Sequence, residues 1–302
     1  MQIQELLNQA LNKTKISKYK TRDIITLDLE NLLSSILGKP RVYLLTYGEK
    51  KLHYKQIQKF NQLLQKYQKN YPLAYLIGRQ EFYGLRFKVN KNVLIPRPET
   101  ELIIDLISKK FKKNQKFKKI YTIIDLGTGS GCIIITLAKL LEEQINNFLA
   151  IDISKKALQI ARQNARLNKI SSKIKFLYGD LLEPILKNNL NIKKNSHLII
   201  ATNLPYLTPT QIKKSPTIKH EPRLALLAGS DGLDLYRKLF KQLEELNKIN
   251  PKLNFDVFCE IDHTQSAKMH QLISKQFQAP KTNIQIHKDL AGFDRVVQFS
   301  RK

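Results

Sequence analysis

Ile120-Tyr121-Thr122-Ile123-Ile124-Asp125-Leu126-Gly127-Thr128-Gly129-Ser130-Gly131 is the stretch on which the fold turns. Its apolar first half, Ile120 to Asp125, reads as a buried strand. Glycines at 127, 129 and 131 let the backbone turn tightly and come close to a ligand before a helix from Cys132 to Glu143. Phe148 to Asp152 is the next strand, and Ser154 is placed to cap the helix after it. Ile174 to Tyr178, His197 to Thr202 and Phe255 to Ile261 supply further strands, with Asn283 to His287 and Arg295 to Phe299 as a terminal antiparallel pair. This alternation predicts an α/β fold: a doubly wound, mostly parallel sheet with an antiparallel C-terminal hairpin. Ligands bind such sheets at the carboxyl ends of the strands.

Upstream the pattern is helical. Ile3, Leu6, Leu7, Ala10 and Leu11 lie on one helical face, and Ile24, Leu27, Leu29, Leu32, Leu33 and Ile36 form a second apolar set ended by Gly38-Lys39-Pro40. Val42 to Leu45 begin a short element, and Tyr54 to Tyr67 carries Ile57, Phe60, Leu63 and Leu64 at helical spacing. Residues 1–80 are therefore expected to be a helical bundle. Glu81 to Val89 alternates, and Val93-Leu94-Ile95 follows the turn residues Asn90-Lys91-Asn92, the pattern of a β-hairpin within a linker at 81–99. The α/β domain then occupies 100–302.

Composition narrows the class. At 302 residues and 42% hydrophobic content, one large and one smaller domain can each bury a core. No apolar stretch is long enough to span a bilayer, and the amphipathic start lacks the apolar region of a secretory signal. Cys132 and Cys259 are the only cysteines and fit no CxxC spacing, and the six histidines show no metal-ligand spacing. A reducing, cytoplasmic compartment (bacterial, or an organelle's matrix or stroma) without zinc or disulfides is expected. With 52 Lys+Arg against 25 Asp+Glu the net charge is +27. That is either a footprint for a polyanion or a skew towards Lys, Ile and Asn throughout; the even spread of lysine favours the skew for most of it. The run Lys109 to Lys119 is expected to be a solvated helix end and loop.

Asp152 ends the second strand 25 residues after Gly127, where a carboxylate can accept both ribose hydroxyls of a nucleoside. Glycine loop and acid together favour a nucleoside cofactor over a structural turn. No P-loop Gly-Lys-Ser/Thr is present, and the loop carries no basic residue for a pyrophosphate. The G-x-G-x-G turn after Asp125 resembles motif I of the Rossmann-like, class I S-adenosylmethionine-dependent methyltransferases. In them the loop backbone lies against the cofactor's amino-acid moiety. Gly179-Asp180-Leu181 stands where those enzymes contact the adenine, although Asp180 can equally be an ordinary turn aspartate.

Asn203-Leu204-Pro205-Tyr206 closes a further apolar run and sets an amide, a free carbonyl and an aromatic ring around a small space. It resembles the tetrad of amino-methyltransferases, in which the first side chain and the next residue's carbonyl accept the two N–H bonds of a planar amine or amide. By that resemblance Asn203 and the Leu204 carbonyl aim the substrate nitrogen at the methyl group. Tyr206 would stack on the substrate plane near the sulfonium, where a cation–π contribution of about 0.5–2 kcal/mol is available.

Further segments are similar to one family, the release-factor glutamine N5-methyltransferases. They are Pro72-Leu73-Ala74-Tyr75-Leu76-Ile77-Gly78 with Phe82 and Gly84, Ile95-Pro96-Arg97-Pro98-Glu99-Thr100-Glu101, His220-Glu221-Pro222-Arg223-Leu224-Ala225-Leu226, Asp231-Gly232-Leu233 with Tyr236-Arg237, and Lys288-Asp289-Leu290-Ala291-Gly292 with Asp294-Arg295. The resemblance implies methylation of the glutamine side-chain amide in the Gly-Gly-Gln motif of class I peptide release factors, by a monomer with no need to bind nucleic acid or membrane. It implies S-adenosylmethionine held by Gly127, Thr128, Gly129, Ser130, Gly131, Asp152, Asp180, Leu181 and Asn203. Asn203, Leu204, Pro205 and Tyr206 would hold the glutamine, and the helical domain would recognise the release factor. Three positions depart from the family. Leu204 replaces a usual proline, keeping the carbonyl but losing the fixed φ; Leu181 replaces a frequent aromatic; Glu260-Ile261-Asp262 replaces Glu-Ile-Gly. The rivals are an RNA adenine-N6 methyltransferase, which often carries Asn-Leu-Pro-Tyr, and a non-catalytic RNA-binding protein on a vestigial fold.

Overall fold

Hydrophobic alternation becomes strand pairing wherever two faces can be covered. The computed structural model describes residues 1–16, 20–112, 120–187, 196–215, 218–277 and 282–301. Two short strands, β1 (Arg79–Phe82) and β2 (Leu85–Lys88), form a hairpin. Seven more, β3 (Ile120–Leu126), β4 (Asn147–Asp152), β5 (Ile174–Tyr178), β6 (Ser196–Thr202), β7 (Asn254–Glu260), β8 (Thr282–Lys288) and β9 (Asp294–Arg301), make one sheet in the order β5-β4-β3-β6-β7-β9-β8. The first five run parallel; β9 is antiparallel to both β7 and β8. The doubly wound sheet and its C-terminal hairpin are as the sequence implies.

Helices cover both faces. Ile103, Ile107, Ile134 and Leu137, from helices Glu101–Lys112 and Cys132–Leu141, pack with Ile123, Ile199 and Phe258. Leu239, Phe240 and Met269, from Asp234–Ile249 and Ser266–Phe277, pack with Ile124, Ile200 and Val257. Strand order reverses around β3, and the register pairs Leu126 with Thr202. The next residues, Gly127 and Asn203, therefore leave neighbouring strands side by side at the switch point, where a ligand crevice opens.

The chain divides into two compact units, Met1–Arg79 with Pro216–His220, and Gln80–Ser215 with Glu221–Lys302. Within the first, Ile3, Leu6, Leu7 and Ala10 bury against Leu29, Leu32, Leu33, Phe60, Leu63, Leu64 and Tyr67. Two apolar residues expected in this core are not there: Ile24 and Leu27 are 45% and 41% exposed. The buried stripe of helix Arg22–Leu37 starts at Ile25, and the 3.6-residue period that joins it to Leu29, Leu32 and Leu33 leaves Ile24 and Leu27 to one side. Val42 and Leu45 are likewise exposed, and Leu44 alone of helix Arg41–Thr46 is buried. His220 packs its ring on Tyr71, centroids 4.9 Å apart.

The hairpin turns earlier than the pattern predicts. Tyr83 and Gly84 take φ of +50° and +70°, a two-residue turn with both central residues left-handed, whose twist suits antiparallel strands. Asn90 to Asn92 is thus a separate turn, and Val93 and Ile95 are buried outside any strand. In the lysine run, 113–119 lie outside the described residues; Lys109 is exposed as expected, whereas the half-buried Lys110 brings its Nζ within 2.9 Å of buried Asp256. Both cysteines are buried and unpaired. Among the described residues no helix is long and apolar enough to cross a membrane, and no group of His, Cys, Asp and Glu could hold a metal ion.

Candidate active site

The ends of β3 and β6 are laced together before either loop begins. Thr202 Oγ1 donates to the Leu126 carbonyl at 2.8 Å. Beyond that tie Gly127 takes a φ of +67°, and a Cβ there would stand 3.2 Å from Leu204 Cδ2. Leu204 is buried over the glycine loop, so the second tetrad residue packs where the first loop needs the absence of a side chain.

Two carboxyls hold the loop. Asp152, at the end of β4, accepts Gly129 N–H at 2.8 Å on one oxygen and Ser154 N–H at 2.7 Å on the other. Burial raises its pKa and the two N–H bonds oppose the rise. Each oxygen keeps a lone pair for a ligand hydroxyl. Asp125, fully buried, accepts the Thr128 hydroxyl at 2.6 Å, while its Oδ1 has no partner. Burial pushes this carboxyl up to about 7 against the opposing Thr128 and Ile134 bonds. Buried Asn164, unremarked in the sequence, spends its amide on the Ser130 carbonyl (2.8 Å) and on the Lys88 backbone (2.7 and 3.0 Å), fastening the loop to β2.

The tetrad is held from behind. Asn203 Nδ2 donates to Thr100 Oγ1 at 3.0 Å, which leaves Oδ1 as the free face of the amide. Behind the tetrad the buried Tyr236 hydroxyl donates to the Glu260 carbonyl. Tyr206 donates its hydroxyl to Glu260 Oε1 at 3.1 Å, and its carbonyl accepts Gln265 Nε2 at 3.0 Å. Gly232, φ +75°, passes so close that a Cβ would stand 2.1 Å from the Tyr206 carbonyl oxygen, which accounts for the Asp231-Gly232-Leu233 segment. Glu221 accepts Ile95 N–H at 3.2 Å and pairs with the Arg97 guanidinium, so two of the resembling segments meet at one carboxylate.

These elements enclose a cavity of about 280 Å³. Gly127, Thr128, Gly129, Ser130, Asp152, Asp180, Leu181, Asn203, Leu204 and Pro205 line it. Gly131 and Tyr206 do not. Gly131 caps helix Cys132–Leu141 against Ile135 and Ala161, and the Tyr206 phenol is turned to Glu260. Asp180 pairs with Lys238, and Leu181 is held at a φ of +56°, a rare strain for a leucine. Sequence reasoning gave no role to Thr100, Glu260, Glu221 and Asn164, because what marks each is a partner more than thirty residues away. The wall carries Asp152 and Asp180 against Lys91 and Arg97, with Asp180 already paired to Lys238 and Arg97 to Glu221.

Comparison with known proteins bears on the family and the fold. The family model described as Methyltransferase domain matches residues 117–245, and that described as PrmC N-terminal domain matches 4–78. The release factor glutamine methyltransferase of Bacillus subtilis is 36% identical, covering 89% of this chain and 88% of that protein. The bifunctional methyltransferase of Rickettsia felis is 31% identical over 99% of this chain but only 58% of its own length. In fold, the N-terminal domain of human METTL16 in complex with SAH superposes with a TM-score of 0.54 at 18% identity, covering 90% of this chain and 93% of that one.

Proposed function

This chain belongs to the release factor glutamine methyltransferase family, an S-adenosylmethionine-dependent enzyme group, and we propose that its acceptor is the side-chain amide N5 of the glutamine in the Gly-Gly-Gln motif of class I peptide release factors. The observation that carries the reading is the orientation of Asn203: with Nδ2 committed to Thr100, the cavity meets an amide oxygen beside a backbone turn, an acceptor surface for an NH2 group. S-adenosylmethionine supplies an electrophilic methyl group on its sulfonium. Asp152, the loop Gly127–Ser130, and Asp180 with Leu181 would hold it.

An amide nitrogen is a poor nucleophile because its lone pair is delocalised into the carbonyl. The lever available to this chain is positional. Asn203 Oδ1 and the Leu204 carbonyl would accept both N–H bonds, fix the nitrogen in line and draw electron density towards it. The linker Val93–Arg97, fastened by Glu221, and Pro222 with Leu224 would cover the site and exclude water. The helical unit, Met1–Arg79 with Pro216–His220, would recognise the release factor away from the reacting loop. The test is transfer of labelled methyl to purified release factor and to ribosomal RNA, with mass mapping of the Gly-Gly-Gln peptide. Label on the glutamine is expected, and label confined to RNA would overturn the reading.

A further inference from the structure

The carboxyl edge of the sheet is shared out by strand order. The residues that would hold the cofactor follow β3, β4 and β5, and the tetrad follows β6. That leaves the edge over β7, β9 and β8 to the chain that carries the accepting nitrogen. Two loops occupy this half: Ile261 to Gln265 after β7, and Asp289 to Phe293, the five-residue turn joining β8 to β9. Leu290, in that turn, is wholly exposed, more so than any other large apolar side chain among the described residues. Phe293 is half-exposed and rests on the exposed His263 ring, centroids 5.1 Å apart.

The turn holds that leucine out. Asp289 Oδ1 accepts the N–H groups of Ala291 and Phe293, each at 3.0 Å. The Asp289 N–H donates to the Phe293 carbonyl and its carbonyl accepts the Gly292 N–H, each at 2.9 Å. Gly292 supplies the φ of +83° that closes the turn. Lys288 Nζ reaches Asp294 at 2.9 Å and the Gly292 carbonyl at 3.1 Å. The Arg295 guanidinium takes the other Asp289 oxygen through two bonds of 3.0 Å and donates to the Ile261 carbonyl at 3.3 Å. The turn is thereby fastened to the residue after Glu260, whose carboxylate receives the Tyr206 hydroxyl. Lys288, Asp289, Asp294 and Arg295 are spent on one another, so what the turn presents is apolar. An apolar side chain on a backbone already fixed loses little entropy when a partner covers it. We propose that Leu290 and Phe293 form a docking point for the methyl-accepting protein, receiving an apolar side chain of the segment that carries the glutamine. The inference rests on the release factor being the acceptor.

Strand spacing sets where on the acceptor that side chain lies. From β6 to β9 is two inter-strand steps and to β8 three, about 10–15 Å, which an extended segment crosses in about three to five residues. Leu290→Ser removes the anchor without touching the core, so the melting transition and the cofactor affinity read by calorimetry should stay as in wild type. KM for release factor should rise about tenfold with kcat within about twofold, the mark of binding lost equally from ground and transition states. Leu290→Met, which keeps an apolar side chain, should stay within about twofold of wild type. Benzoylphenylalanine in place of Leu290, irradiated with release factor, should crosslink within about six residues of the glutamine. An unchanged KM in Leu290→Ser, or a crosslink confined to distant segments, would overturn the docking point alone. Absence of methyl label on release factor with the wild-type enzyme would overturn it together with the acceptor reading.

Discussion

Strand β7 carries two buried carboxyls four residues apart, and its two ends treat them in opposite ways. At the amino end Asp256 is surrounded by donors: His197 Nε2, Ser300 Oγ and Lys110 Nζ all reach it. Burial raises its pKa, but these bonds outweigh burial and hold it at about 2. At the carboxyl end Glu260 is as buried, has one oxygen without a partner, and is pushed up to about 7. Burial alone does not decide a carboxyl's charge; the number of donors aimed at it does. The satisfied acid fastens β6, β7 and β9 to helix Glu101–Lys112. The unsatisfied one stands behind the residues that would meet substrate, where perturbed carboxyls are expected to gather.

The contrast predicts that function and stability separate along the strand. The largest effect belongs to the carboxyl end: Asn203→Ala should lower kcat by about a thousandfold or more while cofactor binding changes about threefold or less and the melting transition hardly moves. Near-normal turnover in that variant would remove the two-point grip. At the amino end Asp256→Asn should cost about 3 kcal/mol of stability in denaturant titrations near pH 7, leaving kcat of the folded fraction within about twofold. Because Asp256 is depressed in the folded state, its contribution is present above the unfolded value near 4 and is lost as pH falls through about 2. The wild-type advantage over Asp256→Asn should fade over that window; a constant gap would contradict the assignment.

The smallest effect has the opposite sign. Glu260 is raised in the folded state, so its favourable contribution is complete below the unfolded value near 4.5 and is lost as pH climbs through about 7. Glu260→Gln should therefore gain stability relative to wild type between pH 5 and pH 8, by at most about 3 kcal/mol at about 1.4 kcal/mol per unit. A stability difference that does not change with pH would show that Glu260 is not charged by burial in this way.

Much of the fold was legible because it is written in local chemistry. The runs that became β3 to β9 announce themselves by apolar content, and Ser154 caps its helix as its hydroxyl allows, accepting Ala157 N–H at 3.1 Å. The glycine loop and Asp152 were legible too, since close backbone approach and an acid at a strand end are short-range requirements. The misplaced elements failed for local reasons as well. Tyr83 lies in a left-handed conformation that composition does not favour, and the stripe on helix Arg22–Leu37 begins one residue later than apolar content alone suggests.

By itself the sequence determined the strands, the loop, the tetrad and the family, because each is a contiguous pattern of residue types. Tertiary structure alone decided which atoms of those residues are free. That Asn203 offers oxygen, that Lys110 is paired, and that Asp256 and Glu260 are shifted in opposite directions all follow from groups brought together across the sheet. Hydrogen-bond direction is a property of pairs, and the pairs form only when the strands do.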